Sequence, residues 1–318
     1  MTLSGFSAGH LPKYDGLSGS GVPLCVVRAR AGADQGGYVK VGINLLLWTA
    51  SPSFNEHEHL LEDLKQWGFD AFEIGVSGLD AAEITRFANK ADALGLDRTV
   101  LDVFVASDAD TISADAAKRK KAVQIVKECI QKTVDIGANV FSGPIYQGLL
   151  NTSQSGPSED EWKRAVESLR ECALFAQERG VKIAAEPLNR FEAYLVTSVE
   201  RAYQFATDVN VDSFGILADT HHSNIEEYDI ARAWSAVADR IYNVHISENN
   251  RGIPGEGHAI TPEVFEVLKK AGYDGYLIIE AFNANVPEIL PLLRLWRPFV
   301  EDESIIARKG LEFIRRHL

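Results

Sequence analysis

Residues 181–187 read VKIAAEP, and the pattern returns as SFGILAD at 213–219, IYNVHI at 241–246 and YLIIEAF at 276–282. Each is a short apolar run carrying, at or near its end, a residue able to hold a divalent metal: Glu186, Asp219, His245 and Glu280. Segments of helical period lie between them, so these side chains recur once per strand–helix unit. Apolar strands alternating with amphipathic helices are the mark of a buried parallel sheet. In a parallel α/β barrel, consecutive strands bring their C-terminal ends to one rim, where active sites lie.

The same alternation extends back to Val39. Strands are expected at 41–48, 69–75, 97–105, 138–143, 181–187, 213–219, 241–246 and 276–282. Helices are expected at 56–67, 80–94, 114–136, 158–179, 198–208, 229–237, 261–271 and 287–297. That count predicts a single-domain (β/α)8 TIM barrel over 39–318, and SIIARKGLEFIRRHL at the C-terminus predicts an extra closing helix. Gly68, Gly95, Gly137, Gly180 and Gly272 each follow a helical segment and precede a strand, as helix-terminating glycines do. Ser158 with Glu161 spells a capping box, and Thr261 followed by Pro262 spells a helix start. An open doubly wound sheet would want a Gly-rich fingerprint after its first strand, and GINLLLW has none. Residues 1–38 are rich in Gly and Ser without periodicity, which predicts a flexible N-terminal extension.

Composition narrows the function. The formal net charge of −13 disfavours a nucleic-acid partner, which needs a basic face to displace counterions. It disfavours an anionic membrane surface for the same reason. No apolar run reaches the ~18 residues of a membrane span, and the N-terminus lacks a signal-peptide pattern. Cys25, Cys129 and Cys172 are odd in number and widely spaced, as in reduced cytoplasmic proteins. The expected partner is therefore a small molecule.

Three carboxylates and one imidazole on one rim suit Mg²⁺, Mn²⁺ or Co²⁺ rather than a thiolate-bound metal. Any single one of them could be a helix cap or an ion-pair partner. Four in consecutive strands would need four coincidences, and so many buried charges are costly without a balancing cation.

The loops extend the pattern. Strand five runs into Glu186-Pro-Leu-Asn-Arg-Phe-Glu192, and strand six into Asp219-Thr-His-His222-Ser-Asn-Ile-Glu-Glu227. Strand seven gives His245-Ile-Ser-Glu-Asn-Asn-Arg251, and strand eight Ile278-Ile-Glu280-Ala-Phe. In order and spacing these motifs resemble those of the ketose 3-epimerases, within the xylose-isomerase-like barrels, and the resemblance runs from about Val41 to the C-terminal helix. It implies that Glu186, Asp219, His245 and Glu280 ligate a divalent metal, with Mn²⁺ the expected ion. Glu186 and Glu280 would double as the acid–base pair. Glu192, His222 and Arg251 would contact the O1–O3 end of the substrate. A homodimer or homotetramer is also implied. The chain departs from the pattern at His221 and Ser223, where the family usually has an aromatic residue and Met.

The implied chemistry needs these groups. A proton alpha to a ketose carbonyl is weakly acidic, so its removal requires a positioned base and a cation that stabilises the developing charge. Inversion at C3 requires a second acid on the opposite face. The expected reaction is C3 epimerisation of a free ketose such as D-tagatose, D-fructose/D-psicose or L-ribulose. A 1,2-aldose–ketose or hydroxypyruvate-type isomerase, or an inosose-type lyase, could use the same ligands. RGIPGEG and AFNANVP carry no lysine, which favours an unphosphorylated substrate.

Overall fold

Eight short strands close on one another in sequence order, β1-β2-β3-β4-β5-β6-β7-β8, every neighbouring pair parallel. They are β1 Lys40–Asn44, β2 Ala71–Ile74, β3 Asp97–Leu101, β4 Val140–Gly143, β5 Lys182–Ala185, β6 Phe214–Asp219, β7 Ile241–Ile246 and β8 Tyr276–Ile279. The computed structural model describes residues 39–103, 108–153 and 155–318. The expected extension over 1–38, with Cys25, lies outside the described residues.

The helices between strands are α1 Phe54–Trp67, α2 Ala81–Leu94, α3 Ala116–Asp135, α4 Glu159–Gln177 and α5 Val199–Val209. They continue as α6 Thr220–Glu226, α7 Ile230–Val237, α8 Pro262–Lys270, α9 Leu290–Leu293 and α10 Glu303–His317. Their starts are written locally. Asp80, Asp115, Ser158, Ser198 and Asp229 each accept a backbone N–H from the first turn, and Ser158 with Glu161 forms the reciprocal capping box. The five expected helix-terminating glycines all have positive φ. Helix α10 buries Ile306, Ala307, Gly310, Leu311 and Ile314 on one face and packs on β1 and β8, across the barrel's closing seam.

Three elements differ from the sequence reading. Strand one stops at Asn44, whose side chain accepts the Leu46 N–H at 2.8 Å and turns the chain into a 3-10 turn over Leu45–Leu47. The helix expected at 287–297 is a single turn, α9. Pro291 lacks a donor, Pro298 follows, and Arg294 turns left-handed at φ 53°. Helix α6 was not expected. Asp219 caps it, so the chain turns directly from strand into helix at a candidate ligand. Among the described residues no helix is long and apolar enough to cross a membrane.

Candidate metal centre and active site

Glu186, Asp219, His245 and Glu280 come together at the C-terminal rim of the barrel. Glu186 directly follows β5 and is anchored by its N–H to the Gly143 carbonyl at 3.1 Å. Asp219 and His245 stand in register across β6 and β7. Glu280 follows β8, its N–H on the Ile246 carbonyl at 3.3 Å. One ligating atom from each lies within 4.8 Å of the others, and none of the four residues is more than 4% exposed. His245 Nδ1 sits 3.4 Å from Glu280 Oε2 and 3.7 Å from both Asp219 Oδ2 and Glu186 Oε1.

These atoms fit a divalent cation. Buried polar groups normally find hydrogen-bond partners. Among the described residues, Glu186 Oε1 and His245 Nδ1 are the buried side-chain atoms that have none, and they point at the same place. The donor set is three hard carboxylate oxygens and one imidazole nitrogen. Asp219 divides its oxygens, Oδ1 accepting the His222 N–H at 2.9 Å to cap α6 while Oδ2 faces the centre. Every ligand comes from this one chain.

Behind the ligands lies a residue the sequence reading did not single out. Glu73 on β2 is fully buried and accepts from His245 Nε2 at 2.8 Å. A carboxylate accepts, so the Nε2 proton is fixed and the Nδ1 lone pair is turned toward the centre. Glu73 is itself held by Asn44 Nδ2 at 2.9 Å, Thr99 Oγ1 at 2.9 Å and Asn243 Nδ2 at 3.0 Å. Asn243 also donates to Ser142 Oγ at 3.0 Å. The barrel interior therefore carries a polar web from five strands behind the four clustered residues. A lone Glu inside the apolar run FDAFEIG is the trace it leaves in the sequence.

Charges in the centre push one another apart. Burial, and then the neighbouring Glu280, raise the Glu186 carboxyl well above the usual carboxylate range. Glu280 suffers the same burial, yet His245 and Arg251 hold it below that range. Against the downward pull of burial, Glu73 and Glu280 raise His245. Arg251 reaches in from a residue with φ 63°, its Nη1 2.6 Å from Glu280 Oε2 and 3.2 Å from Asp219 Oδ2. It pairs with neither Glu248 nor Glu256. Glu248 instead accepts the backbone N–H groups of Gly255 at 2.8 Å and Ala259 at 3.1 Å, and Glu256 pairs with Lys309.

The remaining expected contacts line the same pocket. Asn189 donates through its backbone N–H to His222 Nδ1 at 3.1 Å. His222 Nε2 lies 3.6 Å from Glu186 Oε1 and 3.0 Å from Arg251 Nη2, which can only donate. His222 and Arg251 thus stand together at the edge of the carboxylate cluster. Glu192 accepts from Asn189 Nδ2 at 2.7 Å, and Arg190, a candidate partner for it, pairs with Glu226. Atoms of Glu192, His221 and His222 form a second group within 4.8 Å. Burial and then Arg251 push the His221 imidazole down to about 4.

A sequence model described as the xylose isomerase-like TIM barrel matches residues 61–317. The chain belongs to the xylose isomerase-like TIM barrel family. An L-ribulose 3-epimerase from Mesorhizobium japonicum is 29% identical over 277 residues, 86% of this chain and 93% of that one. The solved structure of an L-ribulose 3-epimerase is 30% identical with a TM-score of 0.83, covering 88% of this chain and 95% of that one. A D-psicose 3-epimerase from Clostridium cellulolyticum H10, solved with D-tagatose, is 26% identical with a TM-score of 0.81, covering 88% and 99%. These relatives are carbohydrate isomerases, and this xylose isomerase-like barrel is an enzyme of the same class.

Two aromatics near the rim of this family member have packing roles. Trp48 rests on Trp67 with ring centroids 6.4 Å apart. Tyr146 donates to the Val196 carbonyl at 2.8 Å and accepts the Leu188 N–H at 3.1 Å, which pins the loop carrying Asn189 and Glu192.

Proposed function

We propose that the protein epimerises a free ketose at C3, with D-tagatose, D-fructose/D-psicose and L-ribulose as the candidate substrates. The observation that carries this reading is the pair Glu186 and Glu280, two buried carboxyls that enter one cluster from the ends of β5 and β8. Two carboxyls approaching from different strands can serve the two faces of one bound sugar. One accepts the C3 proton, the other returns a proton to the opposite face, and the roles exchange in the reverse direction. Arg251 Nη2 donates to a substrate oxygen near the reacting carbons with His222 beside it, and Glu192 accepts from a hydroxyl.

Glu186, Asp219, His245 and Glu280 would hold the divalent cation, for which Mn²⁺ is proposed. Bound there, it supplies electrostatic stabilisation of negative charge developing on substrate oxygen. An unphosphorylated substrate is favoured because the glycine-rich strand-seven loop spends the Gly255 and Ala259 amides on Glu248 rather than offering them to a phosphate.

The test is turnover of D-fructose, D-tagatose, D-psicose and L-ribulose by EDTA-stripped protein, before and after Mn²⁺, Mg²⁺ or Co²⁺ is added. C3 epimers restored by metal, and lost in both Glu186→Gln and Glu280→Gln, are the expected result. Aldose products would move the reaction to a 1,2-isomerase. No product from any sugar, with metal bound, would overturn the epimerase reading in favour of a lyase.

A further inference from the structure

His221 stands beside the groups assigned to the substrate, and the reaction sketched above gives it nothing to do. Its Nδ1 lies 3.0 Å from the Glu248 carbonyl oxygen. A carbonyl only accepts, so Nδ1 carries the proton and Nε2 presents a lone pair. The ring is held in that orientation from both sides. The Glu248 carbonyl also accepts the Arg251 N–H at 3.0 Å, while the Glu248 carboxylate clamps Gly255 and Ala259. On its other side the His221 ring packs edge-on against His222, with centroids 5.2 Å apart at 81°. Nε2 has no hydrogen-bond partner among the described residues. A ring nitrogen of His221 lies within 4.8 Å of a carboxylate oxygen of Glu192 and a ring nitrogen of His222, which sets the ring beside the pocket.

The positions adjoin one another. Glu186 of the metal cluster is 3.6 Å from His222 Nε2, His222 adjoins His221, and Glu192 joins the two histidines within 4.8 Å. If the carbon that exchanges its proton lies at the cluster, the next carbon's oxygen meets the Arg251 donor beside His222. The carbon beyond that reaches His221. A carbonyl oxygen needs a donor, as Arg251 is. A terminal hydroxyl needs an acceptor, as the His221 Nε2 lone pair is. We infer that His221 is a further substrate-binding residue, its Nε2 accepting a hydrogen bond from the C1 hydroxyl of the ketose. The inference rests on the epimerase reading and adds a determinant of which ketoses are accepted.

The experiment compares wild type, His221→Phe and His221→Ala on D-fructose and 1-deoxy-D-fructose with Mn²⁺ present. Wild type should process the 1-deoxy sugar less efficiently. Removing the acceptor should shrink that kcat/KM discrimination roughly tenfold, the weight of one hydrogen bond. The effect should fall mainly on KM for D-fructose, with kcat held within about threefold. A merely structural role would lower activity on both sugars alike and leave their ratio unchanged, and that outcome overturns the assignment. Phe and Ala remove the acceptor with opposite changes in volume, so either folded variant decides the matter. Wild type inactive on D-fructose and the other ketoses would sink the epimerase reading and this inference with it. An active wild type with an unchanged ratio in the variants would sink the inference alone.

Discussion

At His245 one ring nitrogen donates to Glu73 at 2.8 Å while the other faces three carboxylates. With a cation at the proposed centre, that division would make Glu73 a second determinant of its affinity. Glu73→Gln keeps the shape but removes the charge that orients the imidazole and makes it basic, so Mn²⁺ affinity should fall about 10- to 100-fold. Calorimetric titration checks it, with an unchanged far-UV spectrum showing that the barrel persists. The same geometry sets a pH dependence. A proton and a metal compete for Nδ1, and Glu73 with Glu280 raises the imidazole's proton affinity against burial. Metal binding should therefore be strong at high pH and weaken as pH falls. The loss should begin above the ~6.5 of an unperturbed histidine. Titrations from pH 9 to pH 5 test the sign, and an affinity flat across that range would contradict it. The motif reading singled out the four clustered residues because each closes an apolar run. It passed over Glu73 because a single acid inside a strand carries no spacing signal.

Local chemistry writes most of the elements. Ser158 and Glu161 cap each other at the start of α4, Ser158 Oγ accepting the Glu161 N–H at 3.2 Å and its own N–H reaching Glu161 Oε2 at 2.8 Å. Ser158→Ala should cost about 1 kcal/mol in urea unfolding, with catalysis unaffected because α4 stands outside the site. Gly143 behaves differently. It ends β4 at φ 140°, and an added Cβ would come within 2.0 Å of the Asp102 carbonyl oxygen. Its own carbonyl accepts the Glu186 N–H. Gly143→Ala should lower stability by about 2 kcal/mol or more and, by shifting that carbonyl, reduce turnover as well. Denaturation and kinetics on one preparation would show whether the two losses travel together. Where the helix expected at 287–297 shrinks to α9, the reason is equally local: Pro291 and Pro298 interrupt a run whose apolar pattern alone suggests a longer helix.

For the whole barrel, the candidate metal centre links opposite sides of the sheet, since β2, β5, β6, β7 and β8 all contribute to it or brace it. Binding there should stabilise the native state. Free Mn²⁺ at 100 times its dissociation constant contributes about 2.7 kcal/mol, a rise of several degrees in melting temperature. Glu186→Gln should lose most of that rise, as scanning calorimetry with and without metal would show. The barrel, the strand order and the four candidate ligands are legible in the chain because strand–helix alternation and residues at strand ends are local patterns. So are the caps and the helix-ending glycines. Glu73, 172 residues away from His245, is not. Nor is the choice of Arg251 to pair with Asp219 and Glu280 rather than the nearer Glu248, whose carboxylate is taken by backbone amides. The sequence by itself determined which residue types arrive at the rim. Only closure of the barrel decided which of them meet there, because contacts across the barrel are fixed by strand register and tilt, to which no local pattern refers.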